Sequence, residues 1–315
     1  MGFDGLLGNR QLKENLRMSI RSGNISHFYL ISGPAGAGKK TLARLLAAAI
    51  LCKNGDKPCL QCASCRKVMA DTHPDLIAVR DPEHKTVPVD IVRQFRDEMF
   101  VLPNEADKKI YLLDQELRVE GQNALLKIFE EPPAHGVFIL LSDNPEALLP
   151  TVRSRCTHLQ LQSLPEDVLR ARLQQDFPAA SVESVNAAIW RSGGFLGQAK
   201  QLLTDGTAFS EQTELFVRSF SARDSLELTR LLVSMEKWKR DLLIPTLTQW
   251  AQILQQALVC RSGMPAMSDL ATQLATQRSP KDLNEAIGHL HKTIAYAQGN
   301  VSPAAICGYL VWALR

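Results

Sequence analysis

Phe28-Tyr29-Leu30-Ile31-Ser32-Gly33-Pro34-Ala35-Gly36-Ala37-Gly38-Lys39-Lys40-Thr41 decides how the first half of this 315-residue chain is read. An apolar run enters a glycine-rich turn, and the turn enters a helical stretch, Leu42-Ala43-Arg44-Leu45-Leu46-Ala47-Ala48-Ala49-Ile50. Strand, phosphate-cradling loop and helix, in that order, are the setting of a Walker A motif. Gly33, Gly36 and Gly38 let backbone N–H groups curl around an anion at a helix N-terminus, where the helix dipole also favours negative charge. Lys39 stands where the loop lysine reaches the outer phosphates. The next position should bring a Ser or Thr hydroxyl to a magnesium ion, but it is Lys40, and Thr41 comes one residue late. A lysine offers donors only and cannot ligate a cation. The loop is suited to holding phosphate and poorly equipped for metal-dependent chemistry on it.

The length predicts two or three domains. A hydrophobic share of 45% with 22% charged residues is ordinary for a globular protein with ample core. A net charge of +3 gives no general basic surface, so any nucleic-acid contact is expected to be local. No apolar run approaches the roughly 18–20 residues that span a bilayer. The start Met1-Gly2-Phe3-Asp4 has neither the charged nor the apolar region of a signal peptide, and Leu6 replaces the Ser or Thr of a myristoylation signal. With no membrane segment or export signal, the expected location is the cytoplasm.

Along the chain, Leu12, Leu16 and Ile20 recur four apart and predict an amphipathic helix. Strands are expected at 76–80, 109–114, 136–142 and 158–161. A helix is expected to start at Asp90 as N-cap, and another to run through 123–129 and stop before Pro132-Pro133. Strands alternating with helices, most of the strands apolar throughout, predict a parallel sheet covered on both faces. Ligands then sit at the carboxyl ends of the strands, where Gly33, Asp114 and Ser142 fall. Beyond residue 163 only helices are expected, with breaks at Phe177-Pro178 and Gly193-Gly194 and with Trp238, Trp250 and Trp312 as packing residues.

Asp114 closes an apolar strand, the place of the acid that holds magnesium beside a phosphate loop. Its bland alternative is a cap for the next helix. A working ATPase of this architecture would carry Glu next, to polarise water; Gln115 is neutral and cannot act as a base. Four of the seven cysteines, Cys52, Cys59, Cys62 and Cys65, fall within 14 residues. Four thiolates in one short loop fit tetrahedral zinc, with no position left for a substrate. Unmetallated core thiols, an iron–sulfur cluster and a redox C-x-x-C are the alternatives; the spacing matches no ferredoxin pattern, and a redox pair would not need all four.

The chain resembles the clamp-loader branch of the AAA+ proteins, most closely its delta-prime type in bacterial DNA polymerase III. The motifs that carry the resemblance are Ser26-His27-Phe28-Tyr29-Leu30, the cysteine module followed by His73-Pro74-Asp75-Leu76, Asn123-Ala124-Leu125-Leu126-Lys127-Ile128-Phe129-Glu130-Glu131-Pro132, and Ser154-Arg155-Cys156. It implies an AAA+ module over residues 1–163 with a zinc module inserted at 52–65. A small all-α lid over 164–206 and an all-α collar over 207–315 would follow. It also implies gamma/tau and delta clamp-loader subunits as partners, a sliding clamp, and primer-template DNA. By the same resemblance Arg155 is an arginine finger that reaches a neighbouring subunit's ATP site, Gly197 stands where catalytic relatives carry a sensor arginine, Ser142 is near a second sensor position, and Lys127 faces the DNA backbone. Arg153 is then a local support. Lys40, Gln115 and Gly197 together imply a non-hydrolysing subunit, with Gly33, Gly36, Gly38, Lys39, Lys40, Thr41 and Asp114 as a vestigial nucleotide site holding ATP and magnesium weakly or not at all.

Two other classes compete. In an ATP-driven gamma/tau-type motor, Thr41 and Glu116 would substitute for the missing hydroxyl and acid, each one residue out of place and so rotated by about 100° if helical. A zinc-dependent nucleic-acid-binding protein on a vestigial ATPase fold would lose DNA binding to a chelator.

Overall fold

A computed structural model describes residues 2–81, 86–205, 209–262, 268–299 and 301–314, with the side chains of residues 96, 97, 127 and 205 outside that description. Two compact units divide the chain: Met1–Pro178 with Ser192–Leu202, and Ala179–Arg191 with Leu203–Arg315.

In the first unit, α1 (Arg10–Arg21) leads into β1 (Phe28–Ser32), α2 (Lys39–Leu51) and α3 (Ala63–Met69). Next come β2 (Leu76–Val79), β3 (Thr86–Val87), α4 (Val89–Glu98), β4 (Lys109–Leu113), β5 (Glu116–Leu117) and α5 (Val119–Glu130). The run ends with β6 (Gly136–Ser142), α6 (Pro150–Arg153), β7 (Thr157–Gln160) and α7 (Glu166–Asp176). Five strands form one parallel sheet in the order β2-β4-β6-β1-β7. Successive side chains on a strand point to opposite faces. Tyr29, Ile31, Ile110 and Ile139 accordingly join Leu42 and Leu46 of α2 in one core. Phe28, Leu30, Tyr111 and Phe138 join Phe95 of α4 and Ile128 of α5 in the other. Covered on both sides, the central strands β1, β4 and β6 are apolar nearly throughout, which is why they read as continuous runs, whereas the edge strand β7 buries only Leu159.

Two local expectations are corrected. Helix α4 starts at Val89 with Pro88 as N-cap (φ −59°), so Asp90 is not the cap; it lies in the first turn, where a carboxylate suits the helix dipole. The parallel pair β3-β5, Thr86↔Glu116 and Val87↔Leu117, was not expected, because two-residue strands carry no readable period.

After α7 come α8 (Val182–Arg191), in the second unit, and α9 (Leu196–Asp205). The remaining described elements are all helices: α10 (Glu211–Ala222), α11 (Ser225–Met235), α12 (Arg240–Arg261), α13 (Asp269–Gln277), α14 (Pro280–Gln298) and α15 (Pro303–Ala313). Ser210, Asp224, Ser268, Ser279 and Ser302 cap five of them by accepting first-turn N–H groups. Their core centres on Phe216 stacked on Trp250, ring centroids 4.1 Å apart. Trp238 packs against that core. Trp312 does not, being 69% exposed. It sits about 200° around α15 from the buried Leu310. Among the described residues no helix is long and apolar enough to cross a membrane.

One buried acid ties the outer edge of the sheet to the turn before β4. The carboxylate of Asp75, fully buried, accepts the backbone N–H groups of Asn104 (2.6 Å), Glu105 (2.8 Å) and Ala106 (2.9 Å) and the Asn104 side-chain amide (3.2 Å). Burial works against its ionisation, and these hydrogen bonds outweigh it, holding the carboxyl below its usual range. Such an acid stabilises the fold above its unfolded pKa of about 4, and that contribution is lost as pH falls through the lower folded value. We expect Asp75→Ala to cost about 2–4 kcal/mol by leaving donors unpaired, and Asp75→Asn to flatten the acid limb of the stability curve. Denaturant unfolding across pH, with amide exchange at residues 104–106 as the local readout, checks both.

Candidate nucleotide site and cysteine cluster

The loop after β1 and the end of β4 meet at the carboxyl edge of the sheet. Gly36 (φ +76°) and Gly38 (φ +98°) turn the chain through conformations that side chains disfavour. No side chain caps α2, so the N–H groups of its first turn are left to whatever occupies the cavity that Lys39, Lys40 and Thr41 help line. That cavity has a volume of about 560 Å³ and is closed on its other sides by Asp114, Gln115, Ser142 and Asp143. Lys39 Nζ donates to the carbonyls of Gly33 (2.6 Å) and Pro34 (2.9 Å) and pairs with Asp143 at 2.5 Å.

Lys40 does more than omit a hydroxyl. Its Nζ lies 2.9 Å from Oδ2 of Asp114, whose side chain is only 13% exposed. Oδ1 of Asp114 has no hydrogen-bond partner among the described residues. Magnesium needs a near-octahedral set of oxygen ligands. Here an ammonium already holds one oxygen of the acid, and position 40 supplies none. The residues present therefore do not fit a magnesium ion in the usual place. Thr41 lines the cavity, but one residue further around α2.

Gln115 has a role that the sequence did not disclose. Its Oε1 accepts the Asp81 N–H at 2.6 Å and its Nε2 donates to the Asp81 carbonyl at 2.7 Å. An ionised glutamate could make the first bond and not the second. Gly197, near the start of α9, donates its N–H to the Gly36 carbonyl at 2.9 Å. A Cβ on Gly197 would fall 2.6 Å from Gly36 Cα, and one on Gly36 would fall 2.4 Å from the Gln198 nitrogen. The two backbones touch, and neither position has room for a side chain. Beside this contact a second cavity of about 290 Å³, lined by Leu6, Leu7, Leu164, Phe195 and Leu196, shares Gly36, Gly38, Thr41 and Gly197 with the first.

Arg155 lies elsewhere, in the turn between α6 and β7. It donates to the Thr151 carbonyl and to Glu130 Oε1, both at 3.1 Å, and its side chain is 38% exposed. Thr157 pairs with Tyr29 near the start of β1, so Arg155 stands at the amino end of the sheet and Gly33 at the carboxyl end. The separation is about 13–16 Å at 3.3 Å per residue. Arg153 pairs with Glu146 at 2.5 Å. Lys127 belongs to α5, and its side chain lies outside the described residues.

The four cysteines do converge. Cys52 follows α2, Cys62 caps α3 and Cys65 lies within it. Their sulfurs are 3.6 Å (Cys52–Cys59), 4.0 Å (Cys52–Cys62) and 3.9 Å (Cys59–Cys65) apart, with all four within 4.8 Å of one another. Sulfurs 2.3 Å from a tetrahedral centre lie about 3.8 Å apart, so the set fits one thiolate-bound cation. The N–H of Cys62 reaches Cys59 Sγ at 3.3 Å and that of Cys65 reaches Cys62 Sγ at 3.4 Å. The N–H groups of Gln61 and Cys62 pull the Cys59 thiol down to about 6, while burial pushes Cys52 and Cys65 up. Ser64 anchors the loop by donating to the Leu51 carbonyl (2.8 Å) and bonding His73 Nε2 (3.0 Å); His73 Nδ1 in turn accepts the Asp75 N–H (3.1 Å).

Comparison with known proteins identifies relatives of the chain. The family model described as "DNA polymerase III, delta subunit" matches residues 8–165. The gamma/tau subunit of DNA polymerase III from Mycobacterium bovis is 34% identical over 199 residues, 61% of this chain and 34% of that one. The tau subunit of Bacillus subtilis is 30% identical over 66% of this chain and 38% of its own length, and that of Escherichia coli 35% identical over 55% and 27%. The chain thus spans about a third of the length of these relatives. Among solved structures, a gamma subunit-related protein of Thermotoga maritima aligns with 97% of this chain and 100% of its own, at 17% identity and a TM-score of 0.43. The Bacillus subtilis clamp loader delta protein aligns with 96% and 98%, at 11% and 0.32. With the family model covering half of its length and its parallel sheet and phosphate loop in place, the chain belongs to the DNA polymerase III delta-subunit family, in the clamp-loader branch of the AAA+ proteins.

Proposed function

We propose that this chain is a non-hydrolysing, delta-prime-type subunit of a DNA polymerase III clamp loader, acting on a neighbour's ATP site instead of its own. The observation that carries this reading is the Lys40–Asp114 pair, an ammonium on the acid that should hold magnesium. Two others support it. Gln115 cannot accept a proton, and its amide is bonded to Asp81; Gly197 brings no side chain to the loop. The partial exposure of Arg155, at the far end of the sheet, supports its reading as an arginine finger for a partner. In this reading gamma/tau and delta subunits flank the chain, residues 164–206 act as lid, residues 207–315 join a helical collar, and the assembly sets a sliding clamp on primer-template DNA. Zinc in the cysteine cluster is structural, because four thiolates complete its coordination.

The second reading is a gamma/tau-type motor subunit, which the names of the relatives favour: those reported above at 34–35% identity are gamma/tau and tau subunits. It requires Thr41 and Glu116 to take over the metal and the water. Steady-state ATP hydrolysis by the zinc-replete chain, alone and with primed DNA, separates the two. The first reading expects no turnover above that of Lys39→Ala. Turnover abolished by Lys39→Ala establishes the motor.

In a reconstituted loader, Arg155→Ala is expected to leave assembly intact and to slow hydrolysis at the one site it faces, by roughly 10³–10⁵ if the finger is its whole role. Unchanged single-turnover hydrolysis at that site would falsify the finger. Metal analysis is expected to find one zinc per chain. Chelation should lower thermal stability and expose the amides of residues 52–65 to exchange, because structural zinc and folding are coupled; full protection after zinc removal rules that role out.

A further inference from the structure

We infer that Lys40 takes the place of the magnesium ion, so that this loop binds a nucleoside polyphosphate without any divalent cation. The inference rests on the non-hydrolysing reading and adds to it a ligand and a metal requirement of none. In a working phosphate loop, a hydroxyl and an acid hold magnesium against the outer phosphates. Here the hydroxyl and the ion are replaced by one group: Lys40 Nζ, tethered to α2 and seated 2.9 Å from Asp114 Oδ2. A magnesium ion arriving with nucleotide would have to displace that ammonium from its carboxylate and would find no hydroxyl in exchange.

The parts that hold phosphate are otherwise present. Gly36 and Gly38 keep their left-handed turns, and α2 has no side-chain cap to compete for its first N–H groups. Lys39 is satisfied by Gly33, Pro34 and Asp143. Asp143 is 60% exposed, so it can turn to solvent and leave Lys39 to an anion. Lys39, Lys40 and the positive end of α2 then face the ligand against Asp114 as the buried acid. The smaller cavity beside Gly36 is lined by leucines and Phe195 together with Gln162, Arg172 and Lys200, which suits a flat ring with polar edges and points to a nucleotide over inorganic phosphate. A lysine carries one positive charge where magnesium carries two, so the binding is that of a retained ligand and gives no assistance to phosphoryl transfer.

ADP is the probe, because its binding is independent of whether the chain hydrolyses ATP. Its affinity for the full chain is measured by titration calorimetry in EDTA and in excess magnesium. Wild type should bind at least as tightly in EDTA as in excess magnesium, where the metal chelates ADP and competes with the site, while Lys40→Thr should lose about tenfold or more in EDTA and regain it with magnesium, the cost of one charge-assisted contact. Lys40→Met, with neither ammonium nor hydroxyl, should be weak in both. Wild-type binding that needs magnesium overturns the inference, as does no ADP binding in either condition or a Lys40→Thr protein that behaves like wild type. Should a variant fail to fold, the EDTA and magnesium comparison on wild type decides alone. No ADP binding would leave the non-hydrolysing reading standing, whereas ATP turnover by the chain would remove it whatever ADP does.

Discussion

Because helices cover both faces of the five-stranded sheet, its central strands bury nearly every position, and their parallel direction sorts the chemistry of the chain to two opposite ends. The carboxyl ends bring together Gly33, Asp114 and Ser142, which sit far apart in sequence. The amino ends carry Arg155, beyond reach of that loop. The sheet thus keeps two separate edges, with the phosphate loop at one and Arg155 at the other. Degrading the first need not disturb the second, since the buried strands between them carry the fold and not the chemistry.

How much of this was legible depended on whether the signal was local. The phosphate loop, the apolar strands and the cysteine spacing are written in contiguous residues, and the structure shows them where they were expected. The loss of a hydroxyl at position 40 was visible too. That the lysine's ammonium would settle on Asp114 was not, because that meeting depends on β1 and β4 sharing a sheet. Gln115 looked like a missing base, but its donor and acceptor hold the backbone of Asp81, 34 residues away. No period or propensity announces such a pairing. Trp312 was misjudged for a simpler reason: a large aromatic is usually core, yet the buried stripe of α15 passes through Ile306, Cys307 and Leu310.

The cysteine loop is also less of an appendage than its spacing suggests. Through Ser64 and His73 it is hydrogen-bonded to the end of α2 on one side and to Asp75 on the other, and Asp75 gathers the turn that precedes β4. The same short path joins a metal-ready loop, the outer strand of the sheet and the strand that delivers Asp114. Burial keeps His73 neutral by lowering its affinity for a proton, so it can accept from Asp75 while Nε2 serves Ser64.

The contact between Gly36 and Gly197 limits what position 197 can carry. Two backbones have closed into the space that a side chain at 197 would need, with a Cβ there only 2.6 Å from Gly36 Cα. An arginine placed at that position would meet main chain, and the start of α9 would have to withdraw by roughly an ångström before ordinary packing was regained. Any side chain at 197 requires the helix to move first. Such a contact works as a stop: the closeness of two main chains, and not any charge at the site, keeps position 197 without a side chain.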